Sequence, residues 1–311
     1  MSTPVRYPLI LNPRAKSERA RRALRFVMDN ATRFVIWATN NPEEAEELAR
    51  NFAQRGEKTV VAAGGDGTLN AVVKGLAGTE TVLGILPTGT MNVFAREMGI
   101  PFDQLRRALE VIDGGNVEEV DLFEVNGTPF VQMAGVGFDA QVIAETSREL
   151  KKALGPLAYL VSAVRVLGDK PPRMRVKFEE GNEVEGVCVL VGNGSLYGGQ
   201  FRLFHKASNA DDLLDVLVFK HPGYKLVKDS LQGLARGGFR DDAEAVEYFQ
   251  SSGLSVECDR EVPVEVDGDY AGSGSQMEFS HSVSKLKVLA PADRGTNWWE
   301  EALRALAPWA E

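Results

Sequence analysis

The feature that most constrains the fold of this chain is a short apolar run that enters a glycine-rich turn and continues as a helix pattern. Thr59 to Ala63 form the run, Gly64 to Asn70 (GGDGTLN) form the turn, and Ala71 to Leu76 follow. Glycines let backbone N–H groups approach a ligand closely, and a helix start adds unpaired donors and the positive end of the dipole. The segment is typical of a strand, turn and helix that hold nucleotide phosphates. Packing within a doubly wound fold is the alternative.

Asp66 is the unusual residue of this turn. The groups around it attract anions, so a carboxylate among them needs a positive or neutral intermediary. A divalent cation, a hydroxyl or a water between Asp66 and a phosphate would satisfy both.

Composition limits the classes of protein that the chain can belong to. With 311 residues it is long enough for two hydrophobic cores. The net charge of −9 argues against broad binding to nucleic acid, which needs a basic surface. Cys188 and Cys258 both lie in alternating apolar runs, which favours strand positions over a disulfide or a metal site. The sequence shows no leader pattern and no apolar run of ~20 residues, so we expect a cytoplasmic protein.

The first third of the chain alternates strand and helix patterns. Leu9 to Leu11, Phe34 to Trp37, Val60 to Ala63 and Val82 to Leu86 read as short buried strands, and Asn41-Pro42 marks a helix start. This order predicts a largely parallel sheet. Ligands of such sheets bind at the carboxyl ends of the strands, where the glycine turn lies.

From about Val120 the pattern changes to paired strands. Asp121 to Val125 and Phe130 to Met133 flank Asn126-Gly127, and Met174 to Glu180 and Glu183 to Val191 flank Gly181-Asn182; both dipeptides are hairpin turn signals. We therefore predict a mainly antiparallel second domain, with helical interruptions at 140–167 and 224–249. We assign residues 1–124 to the α/β domain and 125–287 to the β domain, with 288–311 packing back on the first. A cleft between the domains is the expected site.

A second glycine segment, Leu86 to Arg96 (LPTGTMNVFAR), follows the next strand. Together with AAGGDGTLN, and in this order, it resembles the diacylglycerol kinase catalytic-domain family, which includes bacterial lipid kinases and the sphingosine and ceramide kinases. The resemblance runs from Asn12 to about Ala290. It continues through four further segments: Val120-Asp121, Gly192 to Gly199, Asp211 to Val216, and Val266 to Asp269.

The resemblance implies an N-terminal α/β domain similar to NAD kinases and phosphofructokinases, followed by a β-sandwich, which agrees with the pattern above. It also implies an ATP- and Mg²⁺-dependent phosphotransferase that acts on a lipid hydroxyl such as that of diacylglycerol. ATP and a lipid alcohol at the inner face of the membrane would be its partners. A homodimer is left open.

By position, the resemblance assigns nucleotide contacts to Asn12, Thr39, Gly64, Gly65, Asp66, Gly67, Thr68, Leu69, Asn70 and Thr90. Arg14 or Lys16 would complete the phosphate side, unless that loop is simply solvated. Asp66 and Asp121 would act through magnesium bound with the phosphates.

The family's base lies in an Asp-Gly-Glu turn, which matches Asp267-Gly268-Asp269. Asp269 is one methylene shorter than the usual Glu, so the base assignment stays open between Asp269 and Asp267. Bacterial members have a structural magnesium site that corresponds to Ser208, Asp211 and Leu213.

Two residues depart from the family pattern. Asp212 replaces the usual Gly, and Val93 replaces an Asp. Two other functions stay open: a soluble NAD kinase, because that family shares the GGDGT turn, and a non-catalytic nucleotide- or lipid-binding module, because of Val93 and the shorter Asp269. The tryptophan-containing tail 297–311 either packs on the body or a dimer partner or helps the protein reach lipid.

Overall fold

A computed structural model describes residues 6–13, 18–137, 171–199, 201–221, 245–282 and 284–293. The described helices are α1 (Glu18–Asp29), α2 (Pro42–Gln54), α3 (Asp66–Leu76), α4 (Val93–Glu97) and α5 (Leu105–Gly114), with a 3₁₀ turn at Ala31–Arg33. The strands of the first half are β1 (Tyr7–Leu11), β2 (Phe34–Ala38), β3 (Thr59–Gly64), β4 (Val82–Pro87), β5 (Val117–Val120), β6 (Phe123–Val125), β7 (Thr128–Phe130) and β8 (Met133–Val136). Those of the second half are β9 (Met174–Phe178), β10 (Glu183–Gly186), β11 (Cys188–Gly192), β12 (Leu196–Tyr197), β13 (Phe201–Arg202), β14 (Leu214–Phe219), β15 (Val246–Ser251), β16 (Leu254–Val266), β17 (Asp269–His281) and β18 (Leu286–Leu289).

The first sheet has six strands in the order β2-β1-β3-β4-β18-β5, and all neighbours are parallel except β18 and β5. Its central strands are apolar almost throughout, and residues such as Ile10, Val61 and Leu83 are completely buried. Because parallel strands share one direction, the segments that follow β1 to β4 meet at a single edge of the sheet.

The second sheet is antiparallel and has ten strands among the described residues. Its longest members are β16 and β17, of 13 residues each, and β16 also pairs with β8 and β9. Its core is a separate cluster that includes Phe130, Val218, Phe219 and Phe279. The predicted fold class, a mostly parallel α/β half followed by an antiparallel sandwich-like half, is confirmed. The division at 124/125 and 287/288 stays a prediction.

Both sequence turn signals form hairpins. Asn126 and Gly127 have φ angles of +49° and +77° between β6 and β7. Gly181 lies between β9 and β10 with φ +90°. Positive φ is what a two-residue hairpin turn requires, and Asn and Gly adopt it most readily.

The strand boundaries differ from the sequence prediction in two places. Phe130 to Met133 is not one strand, because the N–H groups of Val131 and Gln132 bond the carboxylate of Asp267 instead of a neighbouring strand. Glu183 to Val191 is divided at Val187 into β10 and β11.

The predicted helical stretch 224–249 is wrong at its end, since Val246–Ser251 is β15 and pairs with β14. Residues 222–244, the interruption at 140–167 and the tail 297–311 lie outside the described residues, as do Arg14 and Lys16.

Candidate active site

A cleft of about 360 Å³ lies across the carboxyl edge of the parallel sheet. The loops that follow β1, β2, β3 and β4 all contribute to it, as the fold class requires. Its lining residues are Asn12, Asn41, Pro42, Ala45, Gly64, Gly65, Gly67, Thr68, Thr88, Gly89 and Thr90.

Two helices begin at this cleft. The Asn41 side chain caps α2 by accepting a hydrogen bond from the N–H of Glu44 at 2.8 Å, and Gly65 occupies the N-cap position of α3. The first N–H groups of a helix and the positive end of its dipole both favour an anion. The cleft therefore has the electrostatics of a phosphate site without a basic side chain among its lining residues.

The two glycine loops contact each other directly. A Cβ placed on Gly65 would lie 3.1 Å from Cα of Gly89, and a Cβ on Gly89 would clash with Cα of Gly65. The N–H of Thr88 donates to the carbonyl of Gly64 at 2.9 Å. The close approach of the two backbones thus requires glycine at position 89 and leaves little room for a Cβ at position 65.

Asp66 connects the first glycine loop to α4. Its carboxylate accepts hydrogen bonds from the N–H of Asn92 at 2.9 Å and of Val93 at 2.6 Å. Asn92 has a left-handed backbone, with φ +49°, and its side chain bonds both backbone groups of Gly89. Asp66 therefore holds the second loop in place, a role that the sequence did not indicate.

Asp267 lies in the two-residue turn between β16 and β17, with φ +49°. Its carboxylate accepts hydrogen bonds from the N–H groups of Val131 at 3.0 Å, Gln132 at 2.9 Å and Met133 at 2.9 Å. Burial raises the pKa of Asp267 to about 6, although these bonds lower it. The Asn70 side chain donates to the Asp267 carbonyl at 2.8 Å, which joins α3 to this turn.

Asp269 and Glu265 extend the acidic group at this turn. Asp269 is exposed, and within the described ranges neither side chain has a hydrogen bond or an ion pair. Burial, followed by the charges of Asp267 and Asp269, raises the pKa of Glu265 to about 7. Of the two candidate bases, Asp269 has a free carboxylate, whereas Asp267 is already occupied by backbone donors. Glu265 could not be singled out from the sequence, because one acidic residue within a strand is not part of a recognisable motif.

Asp121 is fully buried where the two sheets meet. Its carboxylate accepts the N–H of Asp212 at 2.7 Å and lies 2.7 Å from the Lys285 ammonium, which also pairs with Asp212 at 2.7 Å. The carbonyl of Asp121 accepts from Asn193, and its N–H donates to Asn209. Asp121 is not among the residues that line the cleft.

The residues assigned to a structural magnesium lie beside this ion pair. Asp211 is exposed and accepts one hydrogen bond, from the N–H of Leu213 at 3.2 Å. Burial, together with the charges of Asp121 and Asp212, raises its pKa. Asp212 has φ +61°, the conformation for which the family uses glycine. No cluster of three or more His, Cys, Asp or Glu suited to a metal occurs in the described part of the chain, so an ion here needs backbone carbonyls such as those of Ser208 and Leu213.

The cleft and the sequence assignments overlap in part. Of the residues assigned to the nucleotide, Asn12, Gly64, Gly65, Gly67, Thr68 and Thr90 line the cleft, and their nucleotide contacts stay a prediction. Thr39 and Leu69 are buried away from it: the Thr39 hydroxyl donates to the Leu11 carbonyl, and Leu69 packs in the core. Sequence reasoning missed Asn41, Pro42 and Ala45, although the helix start at Asn41-Pro42 follows a strand and was the available signal.

Comparison with protein families assigns both halves of the chain. Residues 6–125 match the diacylglycerol kinase catalytic domain, and residues 132–289 match the YegS C-terminal NAD kinase beta sandwich-like domain. The chain belongs to the diacylglycerol kinase family.

Named relatives of this family align along most of their length. "Probable lipid kinase YegS" of Salmonella arizonae is 30% identical over 293 residues, which is 92% of this chain and 96% of the relative. "Diacylglycerol kinase" of Bacillus subtilis is 28% identical over 263 residues, covering 83% of this chain and 86% of the relative. These matches support a lipid kinase role, and the kinase family implies ATP and typically a divalent metal.

Solved structures confirm the architecture of this diacylglycerol kinase family member. A diacylglycerol kinase from Bacillus anthracis superposes with a TM-score of 0.72 at 22% identity, covering 94% of this chain and 99% of the other. An NAD kinase from Archaeoglobus fulgidus in complex with ATP gives a TM-score of 0.55 at 13% identity, with 96% and 99% covered. At such identities the likeness concerns the fold alone. Among the helices of the described residues, none is long and apolar enough to cross a bilayer.

Proposed function

We propose that this protein is an ATP- and Mg²⁺-dependent lipid kinase that phosphorylates the hydroxyl of a lipid alcohol such as diacylglycerol. The observation that carries the proposal is the link between the cleft and the acidic turn. Asn70 belongs to the helix that begins at the cleft, and it donates to the carbonyl of Asp267, two residues before Asp269, whose carboxylate has no partner within the described ranges.

The phosphates of ATP would lie at the N-termini of α2 and α3. Backbone N–H groups of Gly65, Gly67 and Thr68 and the side chains of Asn12 and Thr90, which line the cleft, would bind them. Exposed Asp269 would accept the proton of the lipid hydroxyl, while Asp267 holds the turn through its three backbone bonds. Phosphoryl transfer needs such positioning of the nucleophile more than covalent chemistry from the protein.

Magnesium fits this acidic surface. Asp269 and Glu265 offer carboxylate oxygens with no other partner in the described residues, and oxygen is the ligand that Mg²⁺ prefers. When bound with ATP, the ion neutralises the phosphate oxygens. Asp66 would contact the ion through the carboxylate lone pairs that its two hydrogen bonds from backbone N–H groups leave unused. The negative charge of Asp121 is already compensated by the ammonium of Lys285.

A structural cation at Ser208, Asp211 and Leu213 remains part of the proposal. Asp211 keeps one carboxylate oxygen without a hydrogen bond in the described structure, and the surrounding acids favour a positive charge. Lys285 already supplies such a charge to the neighbouring Asp121 and Asp212.

Transfer of labelled phosphate tests the function. The protein is incubated with labelled ATP, Mg²⁺ and a total lipid extract or NAD, and the labelled product is identified. We expect a phosphorylated lipid, and we expect Asp269→Asn to lower turnover by about 10²-fold or more while ATP binding persists. Asp103→Asn, at an exposed acid outside the site, serves as the matched control.

Three results would contradict the proposal. Transfer to NAD but not to lipid would identify a soluble NAD kinase. Tight binding of ATP without transfer to either acceptor would identify a binding module. Normal turnover in Asp269→Asn would remove the proposed base.

A further inference from the structure

Glu97, the last residue of α4, is bound by three donors from the β half of the molecule. The Ser195 hydroxyl donates to its Oε1 at 2.9 Å, and Nε2 of Gln132 at 3.0 Å and the N–H of Leu196 at 2.9 Å donate to its Oε2. Ser195 and Gln132 are buried, with 7% and 5% of their surface exposed. Hydrogen bonds to a carboxylate are stronger than those between neutral groups, so this contact joins α4 firmly to the second sheet.

The opposite end of α4 is held by Asp66, whose carboxylate accepts the N–H groups of Asn92 and Val93. A helix of five residues is thereby attached at its start to α3 and at its end to the β half. Its own backbone bonds are too few to fix it alone. The two carboxylates therefore fix the two ends of α4, while its Phe94 and Ala95 are buried in the core of the α/β half.

These contacts close into a ring that passes through the proposed site. Gln132 bonds Glu97 with its side chain and Asp267 with its N–H, at 2.9 Å. The carbonyl of Asp267 accepts from Asn70, which lies on α3 together with Asp66. The ring thus runs α3, α4, Gln132, the Asp267 turn and back to α3. Any displacement of Gln132 moves a backbone donor of the turn that carries Asp269.

We infer that Glu97 is a positioning residue for phosphoryl transfer: by holding Gln132 and the loop at Ser195 and Leu196, it sets the Asp267–Asp269 turn relative to the phosphate cleft. The inference rests on the proposed function. Glu97 does not line the cleft, and it lies at the end of α4 opposite to the Asn92 and Val93 amides that bond Asp66, so we expect its loss to act more on the acceptor side of the reaction than on the nucleotide side.

The variant Glu97→Gln tests this role because it keeps the shape of the side chain but replaces one acceptor oxygen with a donor. If the NH₂ group faces Gln132 and Leu196, their two bonds are lost; if it faces Ser195, the hydroxyl can accept from it instead of donating. In both orientations the negative charge that strengthens the three bonds is removed. We expect kcat for lipid phosphorylation to fall about tenfold or more, with KM for ATP within about twofold of the wild type. Glu110→Gln, at an exposed acid of α5, should leave both unchanged.

Hydrogen exchange gives a readout that does not depend on turnover. In Glu97→Gln, the amides of residues 131–133 should exchange faster, because their acceptor turn is less firmly held. The amides of α2 should keep their wild-type rates. Should Glu97→Gln not fold, Ser195→Ala is the second variant, because it removes a single donor. We then expect the same changes in kcat and in amide exchange, at smaller size.

The outcomes separate the inference from the proposed function. Wild-type protein that transfers phosphate to no lipid overturns both. Wild-type transfer together with unchanged kcat and unchanged exchange in Glu97→Gln overturns the inference alone. A raised KM for ATP at constant kcat also overturns it, because Glu97 would then act on nucleotide binding.

Discussion

Asp267 and Asp269 are separated by one glycine, yet their surroundings give them different capacities. The Asp267 carboxylate accepts hydrogen bonds from three backbone N–H groups, whereas Asp269 is exposed and has no partner among the described residues. Because a saturated carboxylate is a poor proton acceptor and a good structural anchor, we expect the two residues to affect different properties.

Replacement of each acid by Asn separates these roles. Asp267→Asn removes acceptor capacity for buried N–H groups and should lower the free energy of unfolding by about 2 kcal/mol. Asp269→Asn, at an exposed position, should change it by less than about 0.5 kcal/mol. Urea denaturation of both variants measures the difference. Equal destabilisation would show that Asp267 does not anchor the turn.

Asp215 is a buried acid whose contribution to the free energy of unfolding depends on pH. It has no exposed surface and accepts a hydrogen bond from the hydroxyl of Tyr248, and burial raises its pKa to about 6 from the 3.8 that is ordinary for an aspartate. Between these values the folded state binds more protons than the unfolded state. Stability contributed by this group therefore falls as pH rises from about 4 to 6, and the loss is complete above pH 6.

Asp215→Asn should remove this dependence. Relative to wild type, the variant should gain stability between pH 4 and pH 7, by up to about 2 kcal/mol. Thermal unfolding of both proteins across this range isolates the residue, since all other titrations are shared. A difference in melting temperature that stays constant with pH would show that Asp215 titrates normally.

At the scale of elements, the two glycine loops act as one unit. Gly89 approaches the backbone of Gly65 too closely to carry a Cβ, while the Asp66 carboxylate bonds the start of α4. The sequence predicted both loops from their position after strands. Their contact could not be predicted, because it depends on β3 and β4 being neighbours in register, Gly64 opposite Pro87.

Gly89→Ala should separate the loops and abolish tight binding of ATP, with at least a tenfold rise in the dissociation constant. The Cβ would meet the backbone of Gly65, which cannot move aside as a flexible side chain could. Gly114→Ala, at a helix end where a Cβ meets nothing within 4 Å, is the control. Calorimetric titration with ATP measures both, and wild-type affinity in Gly89→Ala would contradict the proposed phosphate site.

At the scale of the whole molecule, Asp121 joins the two halves. It ends the α/β half just after β5, and it contacts Asn193, Asn209 and Asp212 of the β half as well as Lys285 before β18. Removing one partner of a buried charge leaves the other uncompensated, which costs more than the pair contributes.

Lys285→Met should therefore lower the free energy of unfolding by about 2 kcal/mol, less than for a fully buried pair because the ammonium is partly exposed. In the Asp121→Asn background the same substitution should cost less than about 1 kcal/mol. Lys287→Met, whose partner Glu80 is 88% exposed, is the control and should have little effect. Additive effects of Lys285→Met and Asp121→Asn would mean that the two residues do not interact energetically.

The architecture, the glycine loops and the acidic turn could be predicted from local patterns of neighbouring residues: apolar periodicity, glycine spacing, and Asp-Gly at a hairpin. The partners of the site residues follow only from the three-dimensional arrangement of the elements. Asp66 caps α4, Lys285 compensates Asp121, and Glu97 binds the loop at Ser195, across separations of 26 to 164 residues, with 98 between Glu97 and Ser195. Such contacts depend on how strands and helices are placed in space, and no local pattern of residues encodes that placement.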